Sequence, residues 1–323
     1  MGMDDRITHR SDAEKVTDDG VLAEIAYGTR HVRDPADPRR IVIGTPPIAG
    51  APARDVWPLA EPTTAGWFDD IGYVVGEGFL FAHLLVPEPA GADLTCLTRQ
   101  AYTRLLAFVR ASRCPHPLRV WNYLSRINED DGGIERYQSF CRGRAMAFAE
   151  AAIPDSRCPA ATAIGCDAPG LSIHLLAGSQ AGTPIENPRQ ISAYRYPPNH
   201  GPRPPSFARA MLYAGPERSR ELAISGTASI VGHVTMHPGH LPRQLRETLR
   251  NLAAVIDNVP GDSATLRRHL RWLKVYLRDP ERAREVDAVL RVWAGGHVPI
   301  LYLRGAICRR ALEIEIEGHC APA

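Results

Sequence analysis

Near the C-terminus the run LEIEIEG alternates apolar and acidic residues, with Leu312, Ile314 and Ile316 set against Glu313, Glu315 and Glu317. In an extended strand successive side chains take opposite faces, so the three carboxylates share one face. Just upstream stand Arg304, Arg309 and Arg310, with Cys308 among them. These residue types offer one small anion an acid, cationic anchors and a polarizable thiol, provided that the glutamate face looks into a cleft. A half-exposed strand with solvated charges shows the same alternation, and ion pairs there carry little energy. Tyr137 and Arg144 lie seven residues apart in a helical stretch, which sets them two turns apart on one face. Tyr196 and Arg209 bracket PPNHGPRPPSFA, whose five prolines make a stiff connection. Such a segment is by default a linker, yet it can hold side chains for binding at low entropic cost. Arg209 suits a bidentate grip on a carboxylate, which lysine cannot reproduce.

Other chemistries find less support. The run Ser225-Gly226-Thr227-Ala228-Ser229 could present N–H groups and hydroxyls to a ligand, but it lacks the spacing of a phosphate loop or dinucleotide fingerprint. His233, His237 and His240 have a spacing that invites a metal, yet Pro238 and Gly239 break any helix there, and a surface loop is the expected reading. No G-x-S-x-G elbow is present. Neither a metal nor a cofactor is expected. The net charge of +2 in 323 residues gives no general surface for polyanions, so nucleic acid is not the expected partner. No apolar run reaches the length of a membrane span, and the polar, acidic first residues do not resemble a signal peptide, so a cytoplasmic protein is expected. The seven cysteines contain no C-x-x-C spacing and are expected as reduced thiols.

The elements that must position these residues follow from periodicity. Residues 1–20 read as a disordered or loosely attached arm. Val21-Ala26 and Ile41-Ile43 suggest a hairpin, and Ile71-Val86 a pair of strands bent at Gly76 and Gly78. A helix follows over 98–113, with Thr98 placed to cap it, then a strand at Val120-Leu124, a helix over 134–153, and strands at 160–164 and 171–177. The second half repeats this order, with a strand region over 222–232, a helix over 241–256, a strand over 273–277, a helix over 281–293, and then the two strands around the arginine cluster. An internal repeat of about 150 residues implies an α+β chain of two similar domains, each with helices packed on one face of a mixed sheet. The domains are placed at residues 21–182 and 206–323, joined by a Pro-rich connection over 183–205. Two such sheets packed side by side leave a cleft between them as the natural pocket.

The second half, with ISGTASIVGH, RQLRETLRNLAAVI, VYLRDPERA and LEIEIEG, resembles the reactive-intermediate deaminase (YjgF-like, or chorismate mutase-like) fold. Combined with VWNYLSRINEDDGGIERYQSFCRGRAMAF and SAYRYPPNHGPRPPSFARA, the chain resembles the chorismatase family. The resemblance runs from about Val120 to Gly318. It implies a lyase that converts chorismate into pyruvate and a ring carboxylic acid, without a cofactor. It also implies roles for particular residues: Glu315 as the proton donor, and Tyr137, Arg144, Tyr196 and Arg209 as substrate-binding residues. Arg304 has a looser correspondence to a carboxylate-binding arginine. Cys308 resembles the branch that forms 3-hydroxybenzoate, whose product suits secondary metabolite biosynthesis. The alternatives are a chorismate hydrolase that releases a trans-dihydroxycyclohexadiene carboxylate with pyruvate, and a non-lyase YjgF-like ligand-binding or imine deaminase protein. A second position that separates the branches falls near Ala228-Ser229. Two domains in one chain could replace the contacts of trimeric single-domain relatives, so a monomer is expected.

Overall fold

The computed structural model describes residues 6–8, 19–48, 53–215, 219–261, 266 and 268–321. The repeat is explicit in its strand order. The first six-stranded sheet comprises β6 (Thr64–Phe68), β7 (Ile71–Gly76), β8 (Phe79–Val86), β9 (His116–Ser125), β10 (Ala160–Cys166) and β11 (Leu171–Gly178), and runs β10-β9-β11-β8-β7-β6. The second comprises β12 (Thr183–Ile185), β13 (Ala210–Ala214), β14 (Arg220–Thr227), β17 (Leu270–Leu277), β18 (Ile300–Arg304) and β19 (Ile314–Cys320). It runs β18-β17-β19-β14-β13-β12, the same order element for element. The ribbon of β15 (Ile230–Val231) and β16 (Val234–Thr235) stands apart from it. In each sheet one pair is parallel, β10 with β9 and β18 with β17, and the remaining pairs are antiparallel. The parallel pairs require crossovers, which the helices supply.

Helices α1 (Leu94–Ala111) and α2 (Arg136–Glu150) belong to the first repeat, α3 (Leu241–Asp257) and α4 (Ala283–Ala294) to the second. Each helix pair buries an apolar face against one side of its own sheet, giving two separate cores. Alternation along the strands sends the other residues to the opposite side. Val120 and Leu124 of β9 meet the helices, whereas Trp121 and Tyr123 enter a third core between the sheets. Gly143 lets α2 come close to α1, because a Cβ there would lie 2.4 Å from the Thr95 carbonyl oxygen.

Several expectations need correction. Residues 21–58 do not join the first repeat. Together with Arg6–Thr8 they form a five-stranded sheet of β1 (Arg6–Thr8), β2 (Val21–Tyr27), β3 (Val32–Arg33), β4 (Arg40–Ile43) and β5 (Arg54–Pro58), in the order β1-β5-β2-β4-β3. Its apolar residues share the central core with both larger sheets. β2 and β4 pair in parallel, not as a hairpin, because the intervening β3 turns back on β4. Most of the arm expected at 1–20 lies outside the described residues. Thr183–Ile185 is the edge strand of the second sheet, so the connection is shorter than 183–205. Helix α1 begins at Leu94 and is capped by the Asp93 side chain, which accepts from the backbone N–H groups of Thr95 and Cys96. Thr98, expected as the cap, is buried inside the helix.

Candidate active site

The two halves meet where β10 of the first sheet lies beside β14 of the second. The Ala161 N–H donates to Ser225 Oγ (2.9 Å), and the Gly226 N–H donates to Thr162 Oγ1 (2.9 Å). Further along, Gly165 and Ala306 exchange two backbone hydrogen bonds of 2.8 Å each. These links fix one wall of a cavity with an empty volume of about 570 Å³, its mouth included. Tyr137, Arg144, Tyr196, Arg209, Cys308 and Glu315 all line it.

Glu315 is the second residue of β19, 4% exposed, with Ile314 and Ile316 on the other face in the helix-side core. Glu317 shares its face and is fully buried. Glu313 precedes the strand and does not line the cavity, so two carboxylates, not three, look inward. Their environments differ sharply. Glu317 accepts hydrogen bonds from Trp121 Nε1 (3.0 Å), Arg119 Nη2 (2.7 Å) and Thr162 Oγ1, and Lys274 Nζ lies 3.1 Å away. Burial alone would raise its pKa, but Lys274 and Arg119 outweigh that and hold the carboxyl below its ordinary value. Among the described residues no hydrogen bond reaches the Glu315 carboxyl. Burial, and then the negative Glu317, push its pKa up to about 8 against the pull of Arg119 and Arg209. Neighbouring carboxylates thus split into a fixed anion and a neutral acid at pH 7, the pattern of general-acid sites. Glu315 rests against the backbone of β14 at a bulge, where a Cβ on Gly226 would fall 1.9 Å from its Oε1.

The cationic side comes from both halves. Arg144, on α2, is 1% exposed and sits over the Phe140 ring at 4.9 Å, and its Nε and Nη2 have no hydrogen-bond partner. Arg209, just before β13, is 6% exposed. Its Nη2 donates to the Ile191 carbonyl (2.9 Å) and the Tyr196 hydroxyl (2.8 Å), while its Nε is unpartnered. Accepting from Arg209 leaves the Tyr196 proton free to donate. Buried N–H groups of a guanidinium without partners are costly, and an anionic guest would satisfy them. Tyr137 stacks on Phe140 with centroids 6.4 Å apart, and burial raises its pKa well above the ordinary value, so it is a neutral phenol.

Cys308 lies on the loop between β18 and β19. Burial, and then Glu315, push its pKa up to about 12, so it is a neutral thiol. Arg309, on the same loop, also lines the cavity, and its Nη1 donates to the His233 carbonyl (2.9 Å) and Thr235 Oγ1 (3.1 Å). Arg304 is not brought to this site. It opens onto a separate surface depression, 3.2 Å from Asp167 and with its side chain 53% exposed. The chain turns over between Arg304 and Cys308, at the Ala306 bridge to Gly165, so the two residues face different cavities. Thr162 and Gln190 are lining residues that were not singled out from the sequence, and of the arginine cluster Arg309 is the one that lines the cavity. For Thr162 the available signal was a hydroxyl within the otherwise apolar run Ala160–Ile164. The Ser225–Ser229 hydroxyls are spent inside the fold, on the carbonyls of Ala208, Ser225 and Met236. His200 Nε2 and His233 Nδ1 lie 2.9 Å apart beside Tyr196.

The model for the N-terminal region of FkbO/Hyg5-like chorismatases matches residues 55–177. The chain is 37% identical over 282 residues to a 3-hydroxybenzoate synthase of Streptomyces hygroscopicus, covering 83% of this chain and 81% of that protein. It is 35% identical over 324 residues to a chorismatase of the same organism, covering 94% and 90% of the two chains. A crystal structure of a chorismatase superposes with a TM-score of 0.81 at 31% identity, covering 96% of both chains. With a fold shared over nearly its whole length and relatives above 30% identity along most of both chains, the chain belongs to the chorismatase family.

Proposed function

We infer that this protein cleaves chorismate into pyruvate and 3-hydroxybenzoate, with Glu315 as the acid that protonates the enol ether. One observation carries the reading: two buried guanidiniums with unpartnered N–H groups, one from each half, share a cavity with a carboxylic acid that is neutral at pH 7. Chorismate is a dianion whose two carboxylates are well separated on a small framework, so it needs two anchors that face each other. Arg144 and Arg209 meet that need, with Tyr137 and Tyr196 as neutral donors. The names of the relatives, 3-hydroxybenzoate synthase and chorismatase, support the same substrate.

In the proposed reaction the Glu315 O–H bond breaks and a C–H bond forms at the terminal methylene, leaving an oxocarbenium at the carbon that bears the ether oxygen. The substrate's own ring hydroxyl then attacks the neighbouring ring carbon that bears the ether, the ring–ether bond breaks so that the ether oxygen leaves as the keto oxygen of pyruvate, and the hydroxyl proton is lost. The ring oxide so formed opens at the carbon that first carried the hydroxyl, its oxygen takes up a proton, and loss of the ring proton beside the retained oxygen gives the aromatic acid. No water is consumed overall. Cys308 sits on the loop that closes this part of the cavity, and its neutral, polarizable thiol occupies space that water would need. Attack by water instead gives the diene, one water heavier. Mixing the enzyme with chorismate, coupling pyruvate release to a dehydrogenase and weighing the ring product test the reading. Pyruvate with the aromatic acid is expected. Absence of pyruvate removes the lyase, and pyruvate with the diene removes the cyclising route but keeps the acid.

A further inference from the structure

Asp55 lies on β5 of the N-terminal sheet, fully buried, and its Oδ2 is 2.9 Å from Lys274 Nζ across the central core. Lys274 also meets Glu317, and Glu317 meets Arg119. Four groups of alternating sign thus run through the interior from the N-terminal sheet to the strand that carries the acid, and none is more than 1% exposed. Tyr27, Trp272 and Trp121 surround the ammonium at 5.2–5.9 Å. Packing alone does not call for such a line, since well-packed apolar residues often stabilise as well as buried ion pairs do. Its third member, Glu317, lies two residues from Glu315 on the same strand face.

We propose that Asp55 is a positioning residue for the acid: through Lys274 it fixes Glu317 as a fully hydrogen-bonded anion, and that anion keeps Glu315 protonated. The inference rests on the reading of Glu315 as the proton donor. Several groups surround that carboxyl. β19 supplies Glu317, β17 Lys274 and Tyr276, and β9 Arg119. Arg144 and Tyr137 of α2 line the same cavity, as do Arg209, Arg309 and Cys308. The guanidiniums favour the ionised form of Glu315, and Glu317 opposes them. Asp55 balances the charge of Lys274, with Tyr27 beside it. If Asp55 is neutralised, the charge near Glu315 rises by one and its ionised form gains.

The test is kcat against pH for Asp55→Asn. The alkaline limb is expected to move down by about one pH unit, so kcat at the wild-type midpoint falls about fivefold relative to wild type. KM stays within about twofold of wild type, and kcat well below the limb is retained. Adding Lys274→Met removes the stranded ammonium and returns the limb to its wild-type place. A merely structural role would move the melting temperature and leave the limb alone. An unmoved limb in Asp55→Asn, or a double variant that does not restore it, overturns the proposal. If Asp55→Asn does not fold, Lys274→Met alone is read, with the limb expected to rise by a similar amount, and an unmoved limb there is equally fatal. The infrared band of the protonated Glu315 carboxyl, taken as wild type minus Glu315→Gln, follows the same titration without substrate. Inactivity on chorismate therefore defeats the assigned reaction, while an infrared midpoint unmoved by the Asp55 variant defeats this inference.

Discussion

Replacing Glu315 by Gln should raise stability while it removes activity, and the two effects are linked by one proton. The carboxyl has a pKa of about 8 in the fold against an ordinary 4.5. A group whose pKa is raised on folding stabilises fully below its unfolded pKa, and that contribution is lost as pH rises toward the folded pKa. Each pH unit in that window is worth about 1.4 kcal/mol, so wild type loses at most ~5 kcal/mol between pH 4.5 and 8. At pH 7 the loss is about 3 kcal/mol, an upper figure because the protein relaxes around a buried charge. Gln has nothing to ionise. Chemical denaturation of both proteins from pH 4 to 9 should give curves that separate progressively up to about pH 8 and then run parallel. Well below pH 8, where Glu315 is neutral, the variant should bind a dianionic competitive inhibitor as wild type does, and its kcat should fall by about two to four orders of magnitude. A stability difference independent of pH would mean that Glu315 is ionised throughout. That result would refute the acid assignment even if the variant were inactive.

Three further perturbations separate the roles around it. Arg144→Lys removes the partnerless N–H groups and should raise KM about 10- to 100-fold with a smaller change in kcat; an unchanged KM would show that no substrate carboxylate sits there. Cys308→Ala admits water and should shift product toward the diene, seen by mass, while pyruvate release stays within about an order of magnitude of wild type. Arg278 ties the Cys308 loop by donating to the carbonyls of Leu312, Ile307 and Arg309 and to Asn128 Oδ1, at 3.1–3.3 Å. Lysine cannot span those acceptors, so Arg278→Lys should give the same direction of product shift in a folded protein; an unaltered product ratio would show that the loop needs no such tie.

Much of this site was legible because its residues obey local periodicities. The period-two alternation placed Glu315 and Glu317 on one face, and a seven-residue interval placed Tyr137 and Arg144 on one stripe of α2. The repeat was readable for the same reason, since apolar spacing recurs in step through both halves. What escaped was set by tertiary contacts. Nothing local to Glu317 announces that Lys274 and Arg119, on two other strands, will hold it as an anion. Nothing local tells Arg309 from Arg304, because a backbone bridge to the other half turns the chain between them. The N-terminal sheet was read as a hairpin because neighbours in sequence usually pair, whereas β3 intervenes and leaves β2 and β4 parallel. The start of α1 was misplaced because apolar spacing marks a helix body better than its first turn, where Asp93 takes up the free N–H groups.

The seam between the repeats lies inside one polypeptide. Arg144 is contributed from one side of it, Arg209 and Glu315 from the other, and a covalent connection keeps them at a fixed effective concentration. Dilution cannot separate the two walls. Catalytic efficiency per molecule should therefore hold constant down to concentrations at which a cleft shared by separate chains would come apart, and one chain should saturate with one guest.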